Sequence, residues 1–334
     1  MNVVPEDAIW MDVAKMEAFV TQTGLKLGMP QQDATLFAHL LTLNDLRGVF
    51  SHGSKMLPNY VHRYRRETLN PQPNVAIVAE TETTLIVDGD GGLGFFPAHR
   101  AAQALIEKCL AHGVAAALTR NHGHIGAAGL YARLPVEHDL VCFGTSGHRL
   151  NLAPAGSVLL SGGASPITFA VPAGDEPPLV LDFGATNDLD RSSEAFSRIF
   201  ELAPGMVFRA LGLGAICQAL GGVLAGQATC ENFDRHSSVA PSNGTYPAAN
   251  QGALFVAFDV SRFVPIDQFK RDMDDYIRRA RAMQPLPGQS WAGLAGGLEW
   301  QRQRDWSRSG IPVGKEHRKV LEWVARELDI PPLC

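Results

Sequence analysis

The segment PAHRAAQALIEKCLAHGVAAALT, from Pro97 to Thr119, combines a helix pattern with a strand pattern that follows it at once. Apolar residues recur at helical spacing along Pro97–His112, and Gly113 is placed to cap that helix. Val114–Thr119 contains only small or branched residues, which is typical of a strand covered on both faces. A helix that leads directly into a buried strand is α/β construction, so this segment predicts that class.

Other short apolar segments predict further strands. They are Thr84–Asp88, Leu140–Gly144, Ile167–Val171, Leu179–Asp182 and Leu254–Asp259. Thr145–His148 begins a stretch rich in Gly, Ser and Pro and is predicted to be loop. A helix predicted beyond Arg209 should bury its large apolar residues, Leu213, Ile216, Leu220 and Leu224. With helices at Asp267–Arg281 and Lys315–Leu328, the predicted fold is α/β, a mixed sheet flanked by helices.

Composition restricts the class of partner. At 334 residues with a net charge of -5, the chain can bury a sizeable core but has no basic field for nucleic acid or anionic lipid. The five cysteines are widely spaced without a C-x-x-C pair, which indicates neither a disulfide framework nor a zinc site. No signal-peptide core and no apolar run of membrane-spanning length is recognised. We expect a cytoplasmic protein with a small-molecule partner, no nucleic acid and no membrane.

The segment NDLRGVFSHGSKMLPNY, from Asn44 to Tyr60, places a hydroxyl beside an imidazole at Ser51 and His52. Histidine titrates near neutrality, so an imidazole in a tight polar loop is a candidate proton donor or acceptor. A structural role, in which His52 only hydrogen-bonds the turn, fits these residues equally well. A serine hydrolase is disfavoured, because neighbouring side chains rarely face each other and no G-x-S-x-G elbow is present.

Two polar segments follow predicted strands. Gly89–Gly94 matches the G-x-G-x-x-G dinucleotide pattern, but Asp90 would stand where pyrophosphate charge must be received, so we reject that interpretation. Asn121–Gly126 lies between a strand end and a helix start, where α/β folds bind ligands. His124 is the candidate there, with a helix cap as its alternative. A metal site with His122 lacks a nearby third ligand.

Six motifs occur in one order along the chain. They are S-H-G with L-P-x-Y from Ser51, D-G-D-G-G-L-G from Asp88, R-N-H-G-H-I-G-A-A-G-L-Y from Arg120, G-A-S-P-I-T-F-A-V-P ending at Pro172, L-D-F-G-A-T-N from Leu181 and L-G-L-G-A-I-C-Q-A-L-G-G-V-L-A-G from Leu211. This order resembles the malate/L-lactate dehydrogenase family of the second type, whose fold is not the Rossmann fold. The resemblance implies a homodimeric reductase that uses NAD or NADP to reduce a 2-oxo acid or a cyclic 2-imino carboxylate. It also implies a helical part for substrate binding and dimerisation, residues 1–120 with 260–334, and a cofactor-binding part, residues 121–259.

The resemblance implies a role for each matched residue. His52 would be the proton donor, Ser51 and Asp182 would set its tautomer and charge, and His124 would bound the nicotinamide pocket or act as a second acid–base group. The alternative for Asp182 is the cap of a following turn. Substrate contacts would come from Met56, Tyr60, Thr145 and His148. Cofactor contacts would come from His124, Gly163, Ala164, Ser165, Thr186, Arg209 and Glu299, and no metal is expected.

The chain departs from the family pattern at ligand-binding positions. Met56 replaces the arginine that holds the substrate carboxylate, and Arg209 replaces a lysine. Ser146 replaces the asparagine of a T-N pair, and G-A-S-P at 163–166 replaces G-T-N-P. We therefore expect little activity on malate, lactate or pyruvate. A second function stays open, in which a divergent relative has lost dehydrogenase activity and does redox-neutral lyase or hydratase chemistry or binds a ligand.

Overall fold

A computed structural model of the chain describes residues 3–152, 154, 156–163, 165–186, 194–227, 240–242, 244–289 and 291–333. Its strands are β1 (Ile9–Met11), β2 (Ala76–Glu80), β3 (Thr84–Asp88), β4 (Val114–His122), β5 (Leu140–His148), β6 (Pro166–Val171), β7 (Leu179–Gly184), β8 (Gln251–Asp259) and β9 (Ile311–Val313). Its α-helices are α1 (Val13–Lys26), α2 (Gln31–Leu46), α3 (Leu57–Arg65), α4 (Phe95–His112), α5 (Gly129–Val136), α6 (Glu194–Leu202), α7 (Pro204–Gln218), α8 (Ile266–Arg281), α9 (Gly297–Ser309) and α10 (Lys315–Leu328).

The chain divides into two compact units. The first comprises Met1–Asn74, Val171–Val180 and Val260–Cys334, and the second comprises Val75–Ala170 and Leu181–Asp259. Residues 75–120 therefore lie with the sheet, whereas the sequence analysis placed them with the helical part. The assignment of substrate binding to one part and cofactor binding to the other stays a prediction.

The first unit is helical, with one short antiparallel ribbon in which Ile9 of β1 lies opposite Val313 of β9. Its helix α1 begins where the Asp12 side chain accepts the N–H of Lys15, a capping bond of 2.9 Å. Helix α2 packs against α1 and buries polar as well as apolar residues in its last turn. Because buried polar groups require hydrogen-bond partners, this turn must be tied to another segment.

The second unit contains a seven-stranded sheet in the order β2-β3-β4-β8-β5-β6-β7. Strands β3 and β4 run parallel and are joined by α4, whereas β4 and β5 both run antiparallel to β8. Helix α4 ends where Gly113 takes the left-handed conformation at φ 86°, as the sequence predicts. The prediction of a mixed α/β sheet flanked by helices is confirmed.

Strand β5 is longer than the sequence predicts. Thr145–His148 was expected to be loop, but Thr145 lies opposite Leu254 of β8 and His148 lies opposite Gln251. The small residues have a packing reason instead, since a Cβ on Gly147 would overlap the backbone nitrogen of Gly222. Glycine inside a strand often marks such a close backbone approach.

The two faces of the sheet differ in burial. Ala117 and Phe255 lie on one face, where Phe255 packs edge-on against Tyr131 of α5. On the opposite face, Val114 is 50% exposed and Phe258 is 38% exposed. The prediction that Val114–Thr119 is covered on both faces is therefore wrong for the single chain.

Helix α7 makes a close contact at a glycine, whereas some of its large apolar residues are exposed. A Cβ on Gly214 would lie 2.9 Å from the carbonyl oxygen of Gly162, so the helix makes its close contact through glycine. Ile216 is 59% exposed and Leu224 is 57% exposed, so the predicted core role of these two residues is wrong. The large apolar side chains instead form an outward surface of the chain.

That outward surface belongs to a notably apolar helical stretch. Within the residues that the structure describes, Pro204–Val223 is long and apolar enough to cross a membrane by length and composition, and 33% of an apolar 18-residue window within it is buried. The core helix of a soluble protein can pass the same test. The stretch is therefore weak grounds for a membrane span, and the expectation of no membrane partner stays a prediction.

Candidate active site

The S-H-G loop follows α2 as two short 3-10 turns, Phe50–His52 and Ser54–Met56. Within the first turn, Ser51 Oγ lies 2.9 Å from His52 Nδ1. The expectation that these neighbours would not face each other is therefore wrong, because Nδ1 is the ring nitrogen nearest the backbone and a short hydroxyl can reach it. The other argument against a hydrolase, the missing nucleophile elbow, still holds.

The contact with Ser51 bears on the chemistry of His52. When the Ser51 hydroxyl donates to Nδ1, the proton of the neutral ring is carried by Nε2, the nitrogen that lies farther from the backbone. Burial lowers the pKa of the half-buried His52 imidazole below its ordinary value of 6.5. The doubly protonated ring is therefore a stronger acid than an ordinary imidazolium, and it forms only under more acidic conditions.

Two polar residues in the last turn of α2 hold the loop. The Asn44 side-chain amide donates to the carbonyl oxygen of His52 at 2.8 Å, and Asp45 Oδ2 accepts the N–H of Ser54 at 3.0 Å. A Cβ on Gly53 would overlap Asp45 Oδ1, so the glycine of the S-H-G motif is required for this approach. Sequence reasoning missed Asn44 and Asp45, although a polar pair at the end of an apolar helix was a usable signal.

Aromatic packing fixes the other side of the loop. The Phe50 ring stacks on Trp306 of α9, with centroids 6.0 Å apart and an interplanar angle of 13°. The Arg302 guanidinium lies over the same indole, 5.2 Å from its centroid. Burial lowers the pKa of Arg302, and the Glu299 carboxylate opposes part of that effect, so this predicted cofactor residue lies near the same cluster.

The two predicted substrate residues beyond Gly53 differ in burial. Met56 is half-buried, whereas Tyr60 is fully buried and packs edge-on against Phe37 with centroids 5.5 Å apart. Burial also raises the pKa of the Tyr60 hydroxyl. The Tyr60 ring thus supports α3 from inside the first unit, and a substrate role for either residue stays a prediction.

A cavity of about 330 Å³ lies beside the loop. Its charged and polar lining residues are Asp7, Ser51, Lys55, Lys315, Glu316 and His317. Burial lowers the pKa of His317, and the nearby Lys55 ammonium lowers it further. Pockets of roughly 300–1,000 Å³ are typical of small-ligand sites, so this cavity is large enough for a small organic acid.

In the second unit, Asp182 lies at the start of α5. Its Oδ2 accepts the N–H of Gly129, the first residue of that helix, at 2.8 Å. A carboxylate at a helix N-terminus is stabilised by the helix dipole. The capping role considered for Asp182 is therefore present, although it caps α5 rather than a turn that follows Asp182. Its predicted role in orienting His52 stays a prediction.

The glycine-rich segment 89–94 is bonded to the segment 120–124. Its backbone N–H groups donate to carbonyl oxygens there, from Gly89 to Arg120, from Gly91 to Asn121 and from Gly94 to His124. Phosphate cradles require free N–H groups, and these three are already used. The structure therefore supports the rejection of a dinucleotide fingerprint in this segment.

The two histidines that follow β4 differ. Buried His122 has both ring nitrogens occupied, with Nε2 2.7 Å from Thr119 Oγ1 and Nδ1 2.7 Å from the Gly123 carbonyl oxygen. Burial lowers its pKa to about 4, so His122 is a neutral structural imidazole. His124 is half-buried, and its ligand role stays a prediction. Among the residues that could be searched, no group of three or more potential ligands forms a metal site.

Gln218 of α7 gathers several predicted residues at the end of β5. Its Oε1 accepts the backbone N–H of His148 at 3.1 Å and the Ser165 hydroxyl at 3.3 Å, and its amide donates to the His148 carbonyl oxygen. The Thr186 hydroxyl donates to the carbonyl oxygen of Gly163, and a Cβ on Gly163 would lie 3.2 Å from the His148 ring. We call these residues the His148 cluster.

One atom of the His148 cluster lacks a partner. His148 Nε2 is buried and has no hydrogen-bond partner within the described part of the chain, and burial lowers the pKa of the ring to about 4. Leaving a buried polar group unsatisfied costs about 1–3 kcal/mol, so this nitrogen is a natural contact for a ligand. Sequence reasoning missed Gln218, whose signal is a polar residue within an apolar helix.

Three predicted ligand-binding residues remain, namely Thr145, Arg209 and Ala164. Thr145 is buried, and its hydroxyl donates to the Pro166 carbonyl oxygen at 2.7 Å, which ties β5 to β6. Arg209 is exposed and lies inside α7, whereas the sequence placed it before the helix. Ala164 lies outside the described residues.

The model of the family described as malate/L-lactate dehydrogenase matches residues 11–188 and 194–322. The chain belongs to this family. Among its relatives, the malate dehydrogenase of Pyrococcus horikoshii is 26% identical over 351 residues, which cover 96% of this chain and 94% of that protein. The L-sulfolactate dehydrogenase of Methanocaldococcus jannaschii is 26% identical over 324 residues, which cover 91% and 93%.

Solved structures of malate/L-lactate dehydrogenase relatives share this fold. Malate dehydrogenase from Pyrococcus horikoshii OT3 superposes with a TM-score of 0.83 at 24% identity, covering 99% of each chain. Delta1-piperideine-2-carboxylate reductase from Pseudomonas syringae pvar. tomato superposes with a TM-score of 0.71 at 17% identity, covering 96% of this chain and 99% of that one. The predicted family and the dehydrogenase class are thus confirmed, and the family implies a nicotinamide cofactor.

Proposed function

We propose that this enzyme transfers a hydride between NAD or NADP and C2 of a small 2-oxo acid or a cyclic 2-imino carboxylate, with His52 as proton donor. The observation that carries the proposal is the 2.9 Å contact between Ser51 Oγ and His52 Nδ1 in a loop held from both sides. The names of the relatives, a malate dehydrogenase and a piperideine-2-carboxylate reductase, support the two substrate classes.

The cofactor, when bound, would supply or accept the hydride. The His148 cluster fits part of such a molecule, because His148 Nε2 is buried without a partner and can bond an amide or hydroxyl group. The Arg209 guanidinium can bind a phosphate in bidentate fashion. We also propose contacts from His124 and Glu299. Fluorescence titration with NADH and with NADPH would choose between the two cofactors.

The proton donor is tested by His52→Ala. Loss of a positioned proton donor typically lowers turnover by about 10²- to 10⁴-fold, so reduction of the best 2-oxo or 2-imino acid should fall by that factor. Oxidation of NADH or NADPH, followed by absorbance, is the measurement. His39→Ala is the matched control, since His39 is exposed on α2 and its Nδ1 lies 3.2 Å from the Glu17 carboxylate. Turnover by His52→Ala within about twofold of the parent would refute the assignment.

Substrate binding needs a charge that Met56 does not provide. We propose that Lys55, which lines the cavity beside Ser51, holds the acid group instead. A charge-assisted hydrogen bond contributes about 1.5–3 kcal/mol, so Lys55→Met should raise KM roughly 10- to 100-fold with a smaller change in kcat. Adding Met56→Arg to that variant should restore a low KM. An unchanged KM in Lys55→Met would exclude this residue as the anchor.

A redox-neutral function is the second candidate, because Met56 leaves the position of the family arginine without charge. In that case His52 would serve a lyase or hydratase, or the chain would only bind a ligand. Titration with both reduced cofactors separates the two functions. Quenching of cofactor fluorescence favours the dehydrogenase, and no binding of either cofactor favours the redox-neutral relative.

We propose that the enzyme is a cytoplasmic homodimer. Support comes from the exposed apolar face of the sheet in the second unit, which includes Val114, Phe169 and Phe258, because monomers rarely leave such a patch uncovered. The buried free thiols of Cys142 and Cys217 fit a reducing compartment. Light scattering coupled to size-exclusion chromatography would measure the oligomeric state.

A further inference from the structure

Three polar residues from distant parts of the sequence meet beneath the S-H-G loop. Ser54 Oγ lies 2.8 Å from His317 Nε2 of α10, and the Ser54 side chain and backbone N–H both bond the Asp45 carboxyl of α2. Asp45 and Ser54 are fully buried, and His317 is 6% exposed. Residues Asp45, Ser54 and His317 are called the buried triad below.

The direction of the hydrogen bonds follows from the chemistry of the hydroxyl group. Ser54 has a single hydroxyl proton, and an ionised Asp45 can only accept it. The Ser54 oxygen must then accept the N–H of His317 Nε2, which fixes the neutral tautomer of His317. Burial lowers the pKa of His317 to about 4, which agrees with a neutral ring. Burial raises the pKa of Asp45 to about 7, and its two bonds from Ser54 favour the ionised form.

The buried triad contacts the chain on both sides of the proposed proton donor. Ser54 stands two residues after His52, and Asp45 Oδ1 lies directly against Gly53 between them. On the other side, the His317 ring packs edge-on against Phe50, with centroids 6.2 Å apart. His317 also lines the cavity that Ser51 and Lys55 line. One imidazole of α10 thus touches the residues that precede and follow Ser51 and His52.

Burying a carboxyl, a hydroxyl and an imidazole together carries a desolvation cost that apolar side chains would avoid. Replacing a buried charged group and its partners by apolar residues of similar volume is often neutral or stabilising. The hydrogen bonds of a buried polar network instead specify one arrangement of the groups that they join. In the buried triad these bonds run from Asp45 through Ser54 to His317, and Asp45 Oδ1 has no partner among the described residues. Stability alone therefore does not account for a carboxyl, a hydroxyl and an imidazole at this point.

We propose that the buried triad of Asp45, Ser54 and His317 positions the S-H-G loop, so that His52 is held in the orientation that proton transfer requires. The three are positioning residues, because they act through the loop rather than on substrate. The inference rests on the proposed function for its kinetic consequence, but the fixed orientation and tautomers can be measured without turnover.

The kinetic test uses Ser54→Ala. A misplacement of about 1 Å can cost about 100-fold in rate, so kcat should fall by roughly 10- to 100-fold while the cofactor dissociation constant stays within about twofold. His317→Gln, whose side-chain amide can still donate to Ser54, should retain more activity than His317→Leu. The double variant Ser54→Ala, His317→Leu should be no slower than the worse single variant, because both break one network.

The matched control removes a buried hydroxyl elsewhere in the first unit. Thr23 is fully buried in α1 and donates to the Phe19 carbonyl oxygen at 3.0 Å. Thr23→Val should lower the thermal midpoint about as much as Ser54→Ala does, yet leave kcat unchanged. Equal losses of kcat in the two variants would show that Ser54 acts only through stability and would overturn the proposal.

Nitrogen-15 NMR of the histidine rings separates this inference from the proposed function. In the parent enzyme, His317 should carry its proton on Nε2, and Ser54→Ala and Asp45→Asn should shift the His52 ring resonances. If those resonances stay unchanged in both variants, the buried triad does not position the loop. If they shift while the parent oxidises neither NADH nor NADPH with any acid, the proposed function is wrong and the positioning role stands.

Discussion

The S-H-G loop and the His148 cluster show two ways in which a protein prepares polar groups for chemistry. Around the loop, Asn44, Asp45 and Ser54 bond backbone or side-chain groups of the same unit. In the cluster, Gln218 occupies the main-chain groups of His148 but leaves its ring Nε2 without a partner among the described residues. The loop is therefore held by bonds from within the chain, although Asp45 Oδ1 has no partner among the described residues, whereas in the cluster the atom without a partner belongs to the His148 ring, where a ligand can bond it.

Among the variants that test this comparison, Gly53→Ala is expected to have the largest effect on activity. The added methyl group would overlap Asp45 Oδ1, so the loop must move away from α2. We expect kcat/KM for reduction to fall by about 100-fold or more, because the proton donor is displaced. Steady-state assays of NADH or NADPH oxidation measure this. Gly212→Ala is the control, since a Cβ there meets nothing within 4 Å, and it should leave activity unchanged.

The pH dependence of reduction is the next test. The donor acts in its protonated form, and burial lowers the pKa of His52 below 6.5. In the free enzyme, kcat/KM for reduction should therefore fall as pH rises through that lowered pKa, by about tenfold per pH unit beyond it. The oxidative direction needs the neutral ring and should rise over the same range. A flat profile for reduction between about pH 5 and pH 8 would contradict the role of His52.

The smallest effect is expected in the cluster, with His148→Leu. Removing an unsatisfied buried nitrogen costs nothing in protein hydrogen bonds, so the free energy of unfolding should stay level or rise by about 1 kcal/mol. The cofactor dissociation constant should rise roughly 3- to 10-fold, because one hydrogen bond to the ligand is lost. Denaturant unfolding and fluorescence titration measure the two quantities. A fall in stability without a change in affinity would show that Nε2 serves the fold.

The parts of the fold that depend on local sequence were predictable. Helix α4, its Gly113 cap and the strand after it follow from periodicity within one segment. Strand β5 and helix α7 were predicted incorrectly in part, because glycines at 147 and 214 make close contacts that only distant segments define. The glycines at these two positions are there because another segment packs closely against them. From sequence alone, such small residues suggest a loop or a position without a specific role.

In the candidate site, too, contacts between neighbouring residues were predictable and contacts between distant residues were not. The contact between Ser51 and His52 joins adjacent residues, and the motif that contains them was found from sequence. The partners that hold the loop were missed, since His317 is 263 positions from Ser54 along the chain. No spacing rule connects such residues before the fold is known.

The bonded pair of segments 89–94 and 120–124 has a practical consequence for protein engineering. Exchange of NAD for NADP preference is commonly sought by editing the acidic position associated with a G-x-G-x-x-G turn. In this enzyme the backbone N–H groups of the glycines donate to carbonyl oxygens of segment 120–124. Asp90 lies within the turn that these bonds hold. We expect substitution of Asp90 to alter this hydrogen-bonded turn rather than coenzyme selectivity. If the proposed cofactor contacts are correct, mutagenesis libraries belong at Arg209 and the His148 cluster instead.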